Sequence, residues 1–115
     1  MGLDMTATQA LTLWHKVTLD QVQRQGPDLT MRQLAVLLEI YLVPPPHTVR
    51  GLAATLNVTK PVITRALDTL GEMGLVDRIR DELDRRSVIV KRTVGGALFL
   101  EKFGDCIIAR GRTLG

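Results

Sequence analysis

The stretch that decides the fold is residues 48–92, TVRGLAATLNVTKPVITRALDTLGEMGLVDRIRDELDRRSVIVKR. Its first part predicts a short helix over 48–56, a tight turn at 57–59 and a second helix over 59–73, closed by Gly74. A threonine precedes each helix at the position where a side chain caps the first turn. Two helices joined by so short a turn are typical of a helix-turn-helix, in which the first helix braces the second.

The rest of this stretch predicts a β-hairpin. Residues 75–80 alternate well enough for a strand, residues 86–92 are rich in β-branched side chains, and the polar residues 81–85 fit a hairpin tip. A helix-turn-helix (about 48–74) followed by a hairpin (about 75–92) is the order of a winged helix-turn-helix. The predicted fold class is therefore mainly α with a small β-hairpin (α+β).

Two helices are expected before this stretch. The first covers about 8–25 and ends at Gly26 and Pro27, because proline cannot continue a helix. The second begins after Thr30, which has capping-box spacing to Gln33. Both of these helices would therefore precede the helix-turn-helix.

The second helix runs to about residue 42, and residues 34–43 are apolar at nine of ten positions. A helix that is apolar nearly all round is buried on more than one side, so it is either a central helix or one that also meets a partner chain. A last helix over about 94–110, capped by Thr93, completes the predicted order.

Length and composition describe an ordinary folded chain. The 115 residues fit one domain, 1–115, and the 45% hydrophobic and 23% charged content is globular rather than disordered. The longest apolar run has five residues (34–38), which is too short to span a membrane, and no secretory signal is visible. With a single cysteine, Cys106, a cytoplasmic location is expected.

The net charge of +3 is small, but it is unevenly distributed. Residues 1–58 are neutral, and the whole excess lies in residues 59–115, with six basic residues between Arg78 and Arg92. A local basic stripe is expected where a protein contacts phosphates. A solvated surface hairpin of mixed charge is the alternative explanation.

The same residues resemble a known family. The stretch LVDRIRDELDRRSVIVKRTVGG (75–96) is similar to the wing signature of MarR-type (multiple-antibiotic-resistance) regulators. The stretch LAATLNVTKPVITRALDTL (52–70) resembles the helix-turn-recognition-helix block of that family. The resemblance covers roughly residues 29–104. Family members usually carry further helical sequence at the C-terminus, which completes a dimer interface.

The resemblance implies a role for particular residues. It places Thr59 to Arg65 at the exposed start of a recognition helix. It makes Arg86 the wing arginine that enters the minor groove and Asp84 the acidic residue that orients the wing. Together with the basic residues nearby, the candidate DNA-binding set is Thr59, Lys60, Thr64, Arg65, Arg85, Arg86 and Arg50.

Structural explanations compete with these roles. Arg65 is either a DNA contact, a solvated charge or half of an Arg65–Asp68 pair. Thr59 and Thr64 are alternatively helix caps or surface residues. Arg85 and Arg86 are alternatively solvent-exposed residues of a turn without a DNA contact. Arg32 is, like Arg50, a weaker phosphate candidate near a helix start. Arg92, where the family commonly has leucine, is either a phosphate contact or a surface residue.

Other chemistry has little support in the sequence. The lone Ser87 lacks a nucleophile-elbow motif, and dinucleotide and P-loop fingerprints are absent, so no enzyme activity and no cofactor are expected. His15 and His47 lack partners at metal-ligand spacing, so no metal site is expected. Cys106 is expected to be a small buried hydrophobe, with a redox switch as the alternative.

Two functions of different classes remain. The leading hypothesis is a sequence-specific double-stranded DNA-binding transcriptional regulator, acting as a homodimer on a pseudo-palindrome. In it, helix 59–73 enters the major groove and wing 81–86 lies on the minor groove. The alternative is a winged-helix module for protein contact without DNA binding. The sequence identifies no small-molecule effector and no membrane partner.

Overall fold

The helices and strands follow the predicted order. The computed structural model, which describes residues 4–26 and 28–114, contains α1 (Ala7–Gln23), α2 (Met31–Leu42), β1 (His47–Thr48), α3 (Val49–Leu56), α4 (Lys60–Glu72), β2 (Val76–Arg80), β3 (Val88–Arg92) and α5 (Val94–Gly111). Most predicted ends are correct within two residues. The first helix was predicted to end at Gly26 and Pro27. Gly26 has a φ of 150°, and Pro27 lies outside the described residues.

The chain divides into two compact units. Residues 29–100 form a central unit, which contains α2 to α4, the three strands and the start of α5. Residues 1–28 and 101–115 form a terminal unit, which contains α1 and the rest of α5. The helix-turn-helix and the hairpin therefore both belong to the central unit.

Threonine side chains begin three helices of the central unit, as predicted. The Gln33 amide N–H donates to Thr30 Oγ1 at 3.1 Å, and the Gln33 side chain accepts from the Thr30 N–H at 2.9 Å, which completes a capping box. Thr48 accepts from the Gly51 N–H at 3.0 Å at the start of α3. Thr93 accepts from the Gly96 N–H at 2.9 Å at the start of α5.

The core of the central unit lies around α2 and α4. Helix α2 packs against α3, α4 and β3, so the interpretation as a central helix is confirmed. Met31 and Leu42, at the two ends of α2, are nevertheless 75% and 74% exposed, so contact of this helix with a partner chain stays a prediction. The fully buried residues at the centre are Val36, Leu37 and Ile40 of α2, Leu52 of α3, and Ile63, Leu67 and Leu70 of α4.

The sheet has strand order β1-β3-β2, and both pairs are antiparallel. In this register Val76 lies opposite Arg92, and Arg78 lies opposite the buried Val90. The hairpin is therefore anchored in the core at its base, and its tip extends away from the core.

Arg92 is exposed, but its guanidinium is bound to the end of α2. Its guanidinium donates to the carbonyl oxygens of Ile40 at 2.8 Å and Val43 at 3.0 Å, at the C-terminal end of α2. It also lies 5.8 Å from the centre of the Tyr41 ring, within cation–π range. A cation at a helix C-terminus is favoured because unpaired carbonyls accumulate there.

Tyr41 and Gly96 meet at the junction of α2, the hairpin and α5. The Tyr41 hydroxyl lies 2.8 Å from the Leu75 carbonyl oxygen and accepts from the Thr93 N–H at 2.8 Å. A Cβ at Gly96 would lie 1.9 Å from that hydroxyl and 2.3 Å from the Leu75 carbonyl oxygen. Position 96 therefore has room for glycine alone.

The terminal unit is held by a polar cluster as well as by apolar contacts. Arg110 donates to both oxygens of Asp20, from Nε at 2.6 Å and from Nη2 at 2.5 Å. The Cys106 thiol donates to Asp20 Oδ2 at 3.2 Å. The hydrogen bond from Arg110 is the main reason that the pKa of Asp20 falls to about 2.

Cys106 therefore differs from the apolar buried residue that the sequence suggests. It is half-buried, and its thiol is hydrogen-bonded to a carboxylate. Burial raises the pKa of the Cys106 thiol, and the hydrogen bond to Asp20 raises it further. A thiol held in its protonated form is a poor nucleophile, so this setting disfavours the redox alternative.

We expect Gly96→Ala to destabilise the protein by about 1–3 kcal/mol, because its methyl group would overlap the Tyr41 hydroxyl and the Leu75 carbonyl. Gly104→Ala is the matched control in the same helix, since a Cβ there meets no atom within 4 Å. The control should keep or raise stability, because alanine favours the helix. Urea unfolding of both variants checks this, and equal midpoints would contradict it.

We expect Asp20→Asn to remove a pH-dependent part of the stability. The folded-state pKa of Asp20 (about 2) lies below the ordinary value of 3.8, so its contribution is present above 3.8 and is lost as the pH falls towards 2. Unfolding midpoints of wild type and variant should therefore differ at neutral pH and converge near pH 2. Asp105→Asn, an exposed carboxylate with no ion pair among the described residues, should leave the pH profile unchanged.

Candidate nucleic-acid interface

The buried stripe of α4 fixes which of its residues face outward. Ile63, Ala66, Leu67 and Leu70 all point into the core, and Met73 is half-buried. The remaining faces of a helix must then point away from the core. The exposed residues along the first two and a half turns are Lys60, Pro61, Thr64, Arg65 and Asp68.

Thr59 occupies the N-cap position of α4, but its side chain makes no capping hydrogen bond. Side-chain caps bond the N–H of the second or third helical residue. Here Pro61 has no N–H, and the Val62 N–H donates to the Thr59 carbonyl oxygen at 3.1 Å instead. The Thr59 hydroxyl is therefore exposed at the start of the helix and unused by it.

Arg65 is not half of an Arg65–Asp68 pair, so that alternative is wrong. Asp68 instead binds Arg78 of β2, with Arg78 Nη2 at 2.7 Å from Asp68 Oδ1. Within the described part of the chain, the Arg65 guanidinium makes no hydrogen bond or ion pair. Arg65 is therefore a free cation on the outward face of α4.

A shallow groove brings Arg65 next to Arg32 of α2. Its lining also includes Thr30, Gln33 and Thr69, together with apolar residues of α4. Arg32 and Arg65 are both exposed, so two cations flank the groove beside the helix. In the sequence, Arg32 is only a weak phosphate candidate near the start of a helix. Its position beside Arg65 could not be predicted, because the sequence does not show that α2 begins next to α4.

Arg50 lies in the first turn of α3 and is exposed. It is close to the Thr48 cap and lies on the supporting helix rather than on α4. The structure therefore places Arg50 on a different helix from Thr59, Lys60, Thr64 and Arg65.

Asp84 organises the tip of the hairpin through three contacts. Its Oδ1 accepts from the Arg86 N–H at 3.1 Å, its Oδ2 accepts from the Ser87 hydroxyl at 3.2 Å, and Arg86 Nε lies 3.8 Å from Oδ1. The Ser87 N–H also donates to the Asp84 carbonyl oxygen at 2.9 Å. The carboxylate thus stabilises the turn, while the Arg86 side chain remains 97% exposed.

Arg85 sits beside Arg86 and is also exposed. Its carbonyl oxygen accepts a hydrogen bond from the Arg80 guanidinium across the hairpin. On the other side of the tip, Asp81 Oδ1 accepts from the Leu83 N–H at 2.9 Å. Backbone hydrogen bonds to side chains therefore shape the tip and leave the guanidinium groups of Arg85 and Arg86 outside.

Two chemical observations bear on other kinds of site. Across residues 4–26 and 28–114, no three His, Cys, Asp or Glu side chains are grouped so that they could hold a metal ion. Among the helices described, none combines the length and apolar character needed to cross a membrane.

The exposed helix α4 followed by the arginine-bearing hairpin can be compared with known proteins. A profile of the MarR family matches residues 27–87, which is more than half of the chain. The chain belongs to the MarR family. The match includes the whole helix-turn-helix and the tip of the wing.

Solved structures agree with membership in the MarR family. A mutant MepR of S. aureus, 22% identical, matches with a TM-score of 0.77 over 96% of this chain and 83% of that chain. A mutant MarR from E. coli complexed with operator DNA is 28% identical, with a TM-score of 0.68 over 93% of this chain and 71% of that chain. The transcriptional repressor CouR, bound to a 23-mer DNA duplex, is 28% identical, with a TM-score of 0.69 over 91% of this chain and 68% of that chain.

We expect Asp84→Ala to loosen the wing tip without unfolding the protein. The change removes the acceptors of the Arg86 N–H and the Ser87 hydroxyl, both of which are exposed enough to bond water instead. Amide hydrogen exchange should rise at residues 86 and 87, with core amides unaffected. Glu82→Ala, an exposed tip carboxylate with no hydrogen bond among the described residues, is the control, and equal exchange in both variants would contradict the bracing role of Asp84.

Proposed function

We propose that this MarR-family chain is a sequence-specific, double-stranded DNA-binding transcriptional regulator, with residues 1–115 acting as one winged helix-turn-helix domain. One observation carries the proposal. The guanidinium groups of Arg65, Arg85 and Arg86 are exposed on α4 and at the wing tip, whereas Asp68 and Asp84 beside them are tied to protein donors. Exposed guanidinium groups beside carboxylates that already have protein partners suit a polyanionic ligand.

The start of α4 suits the major groove. A helix fits this groove, and residues near its N-terminus reach base edges. Arg65 has the planar donor pair that can bind the two acceptors of guanine, and Thr64 is small enough to accompany it. Lys60 and the Thr59 hydroxyl, at the first turn, are placed for backbone phosphates, as is Arg50 on the supporting helix.

The wing tip suits the minor groove. Arginine is favoured there because a narrow minor groove concentrates negative potential. Arg86 is almost fully exposed, and its backbone is held by Asp84, so little order would be lost when its side chain enters a groove. We infer that the exposed Arg85 beside it contacts a backbone phosphate.

The solved relatives support a DNA partner. Among those 28% identical to this chain, a mutant E. coli MarR is complexed with operator DNA, and CouR is a transcriptional repressor bound to a DNA duplex. A regulator of this kind gains affinity from phosphate contacts and discrimination from base contacts.

We also propose that the active form is a homodimer reading a pseudo-palindrome. Helix α1 leaves large apolar side chains exposed at Leu11, Trp14, Leu19 and Val22, and α5 does so at Leu98 and Ile108. Such exposed apolar surface favours a protein partner. In a twofold dimer, two α4 helices would read half-sites about one helical turn apart.

Selection of bound sites from a random duplex pool tests this function. We expect one enriched motif with twofold symmetry, because two copies of α4 would read two copies of the half-site. Arg65→Ala should relax the preference at one base pair by about 1–3 kcal/mol, and Arg86→Ala should flatten the dependence of log K on log salt by about 0.9 for the phosphate charge it no longer meets.

Two triple variants that remove the same amount of positive charge from different places test the assignment of the interface. Arg65, Arg85 and Arg86 replaced together by alanine should abolish specific binding. Arg24, Lys102 and Arg112 replaced together remove the same charge from the terminal unit and should retain it. Equal duplex affinity of the two triple variants would disprove the assignment of the interface. Absence of binding to any duplex at low salt would favour the protein-contact function instead.

A further inference from the structure

The Asp68–Arg78 ion pair joins the two elements that carry the proposed DNA contacts. Arg78 Nη2 donates to Asp68 Oδ1 at 2.7 Å. Asp68 lies on the exposed side of α4, and Arg78 lies in the middle of β2, opposite the buried Val90 of β3. Among the ion pairs of the described residues, this one alone connects α4 to the hairpin.

Apolar packing already attaches the base of the hairpin to α4. Leu70 of α4 and Val76 of β2 are both buried in the same core cluster. The Arg78 and Asp68 side chains are 33% and 53% exposed, and ion pairs with that exposure add little to folding stability. The pair therefore acts chiefly on the direction in which the hairpin leaves the core, not on whether the core forms.

The pair also sits among further negative charge. Asp68, Glu72 and Asp77 line one shallow groove between α4 and β2, and Arg78 is the single cation among the described residues that line it. The Asp77 carboxylate additionally accepts from the Arg78 N–H at 2.9 Å. Carboxylates oppose the approach of a phosphate, so this groove is poorly suited to a phosphate contact.

We propose that Arg78 is a positioning residue that holds the wing in a fixed orientation relative to α4 through Asp68, and that it makes no phosphate contact of its own. Its Nη2 is bound to Asp68 Oδ1 at 2.7 Å, and its side chain is only 33% exposed, which leaves it less accessible to a phosphate than the arginines of the wing tip. This inference rests on the proposed function, because the fixed orientation matters where α4 and the wing tip bind one duplex together.

Replacement of Asp68 separates this role from simple electrostatics. Removing a carboxylate from a DNA-binding face should raise affinity if charge alone matters. If Asp68 holds the wing in place, the same change should lower affinity. The sign of the effect of Asp68→Asn is therefore the deciding observation.

The test measures duplex affinity over a range of salt concentrations for Asp68→Asn, Arg78→Gln and the double variant. We expect each single change to weaken binding by about 3- to 10-fold and the double variant to be no weaker than Arg78→Gln, because both remove one interaction. The salt dependence should stay that of wild type, and Arg78→Lys should recover part of the loss. Glu72→Gln is the control: it removes a carboxylate of the same groove that is outside the pair, and it should keep or raise affinity.

A second measurement needs no DNA. Backbone ¹⁵N order parameters of residues 81–87 should fall in Asp68→Asn and Arg78→Gln but not in Glu72→Gln, with core amides unchanged. Unchanged order parameters, a tighter complex of Asp68→Asn, or a flatter salt dependence of Arg78→Gln would each overturn the inference. If wild type binds no duplex, the proposed function fails, and the order parameters alone still decide whether the pair holds the wing.

Discussion

The contact between the Tyr41 hydroxyl and Gly96 is the constraint on which the central unit depends. One phenolic oxygen lies within hydrogen-bonding distance of Leu75, just before β2, and of Thr93, between β3 and α5. The hydroxyl thereby provides a hydrogen-bond partner for part-buried backbone groups at both ends of the hairpin. Thr93 extends the junction, because its hydroxyl donates to the Gly74 carbonyl oxygen at 2.8 Å.

Six arginines divide into two groups according to their partners. Arg78, Arg92 and Arg110 are engaged by a carboxylate or by helix-end carbonyls, so they orient or stabilise elements of the protein itself. Arg65 and Arg85 make no ion pair among the described residues, and the Arg86 side chain, whose Nε lies 3.8 Å from Asp84 Oδ1, is 97% exposed. A formal charge of +3 hides this division, since position and partners decide which cations face another molecule.

Local signals in the sequence were sufficient for much of the fold. Capping threonines, the turn after Leu56 and the switch from helical to β-branched spacing depend on neighbouring residues, so the helices and hairpin could be predicted. The resemblance to a recognition helix predicted an exposed start of α4, and Lys60, Thr64 and Arg65 are exposed there. The partners of Asp68 and Arg92 could not be predicted, because each contact joins two elements that are far apart in the sequence and meet only in the folded chain. The prediction that the Thr59 side chain caps α4 was wrong for a local reason, because Pro61 has no N–H to donate to it.

The Asp20–Arg110 pair has a consequence for the order in which the chain can assemble during synthesis. Its two residues are 90 positions apart, so a ribosome has made all the residues between them before they can meet. Residues 29–100 form a compact unit of their own, and all of them are synthesised before Arg110. Closing so long a loop is entropically costly in a free chain and less so once the intervening residues are folded. The central unit is thus expected to fold first, and α1 is expected to pair with the end of α5 last.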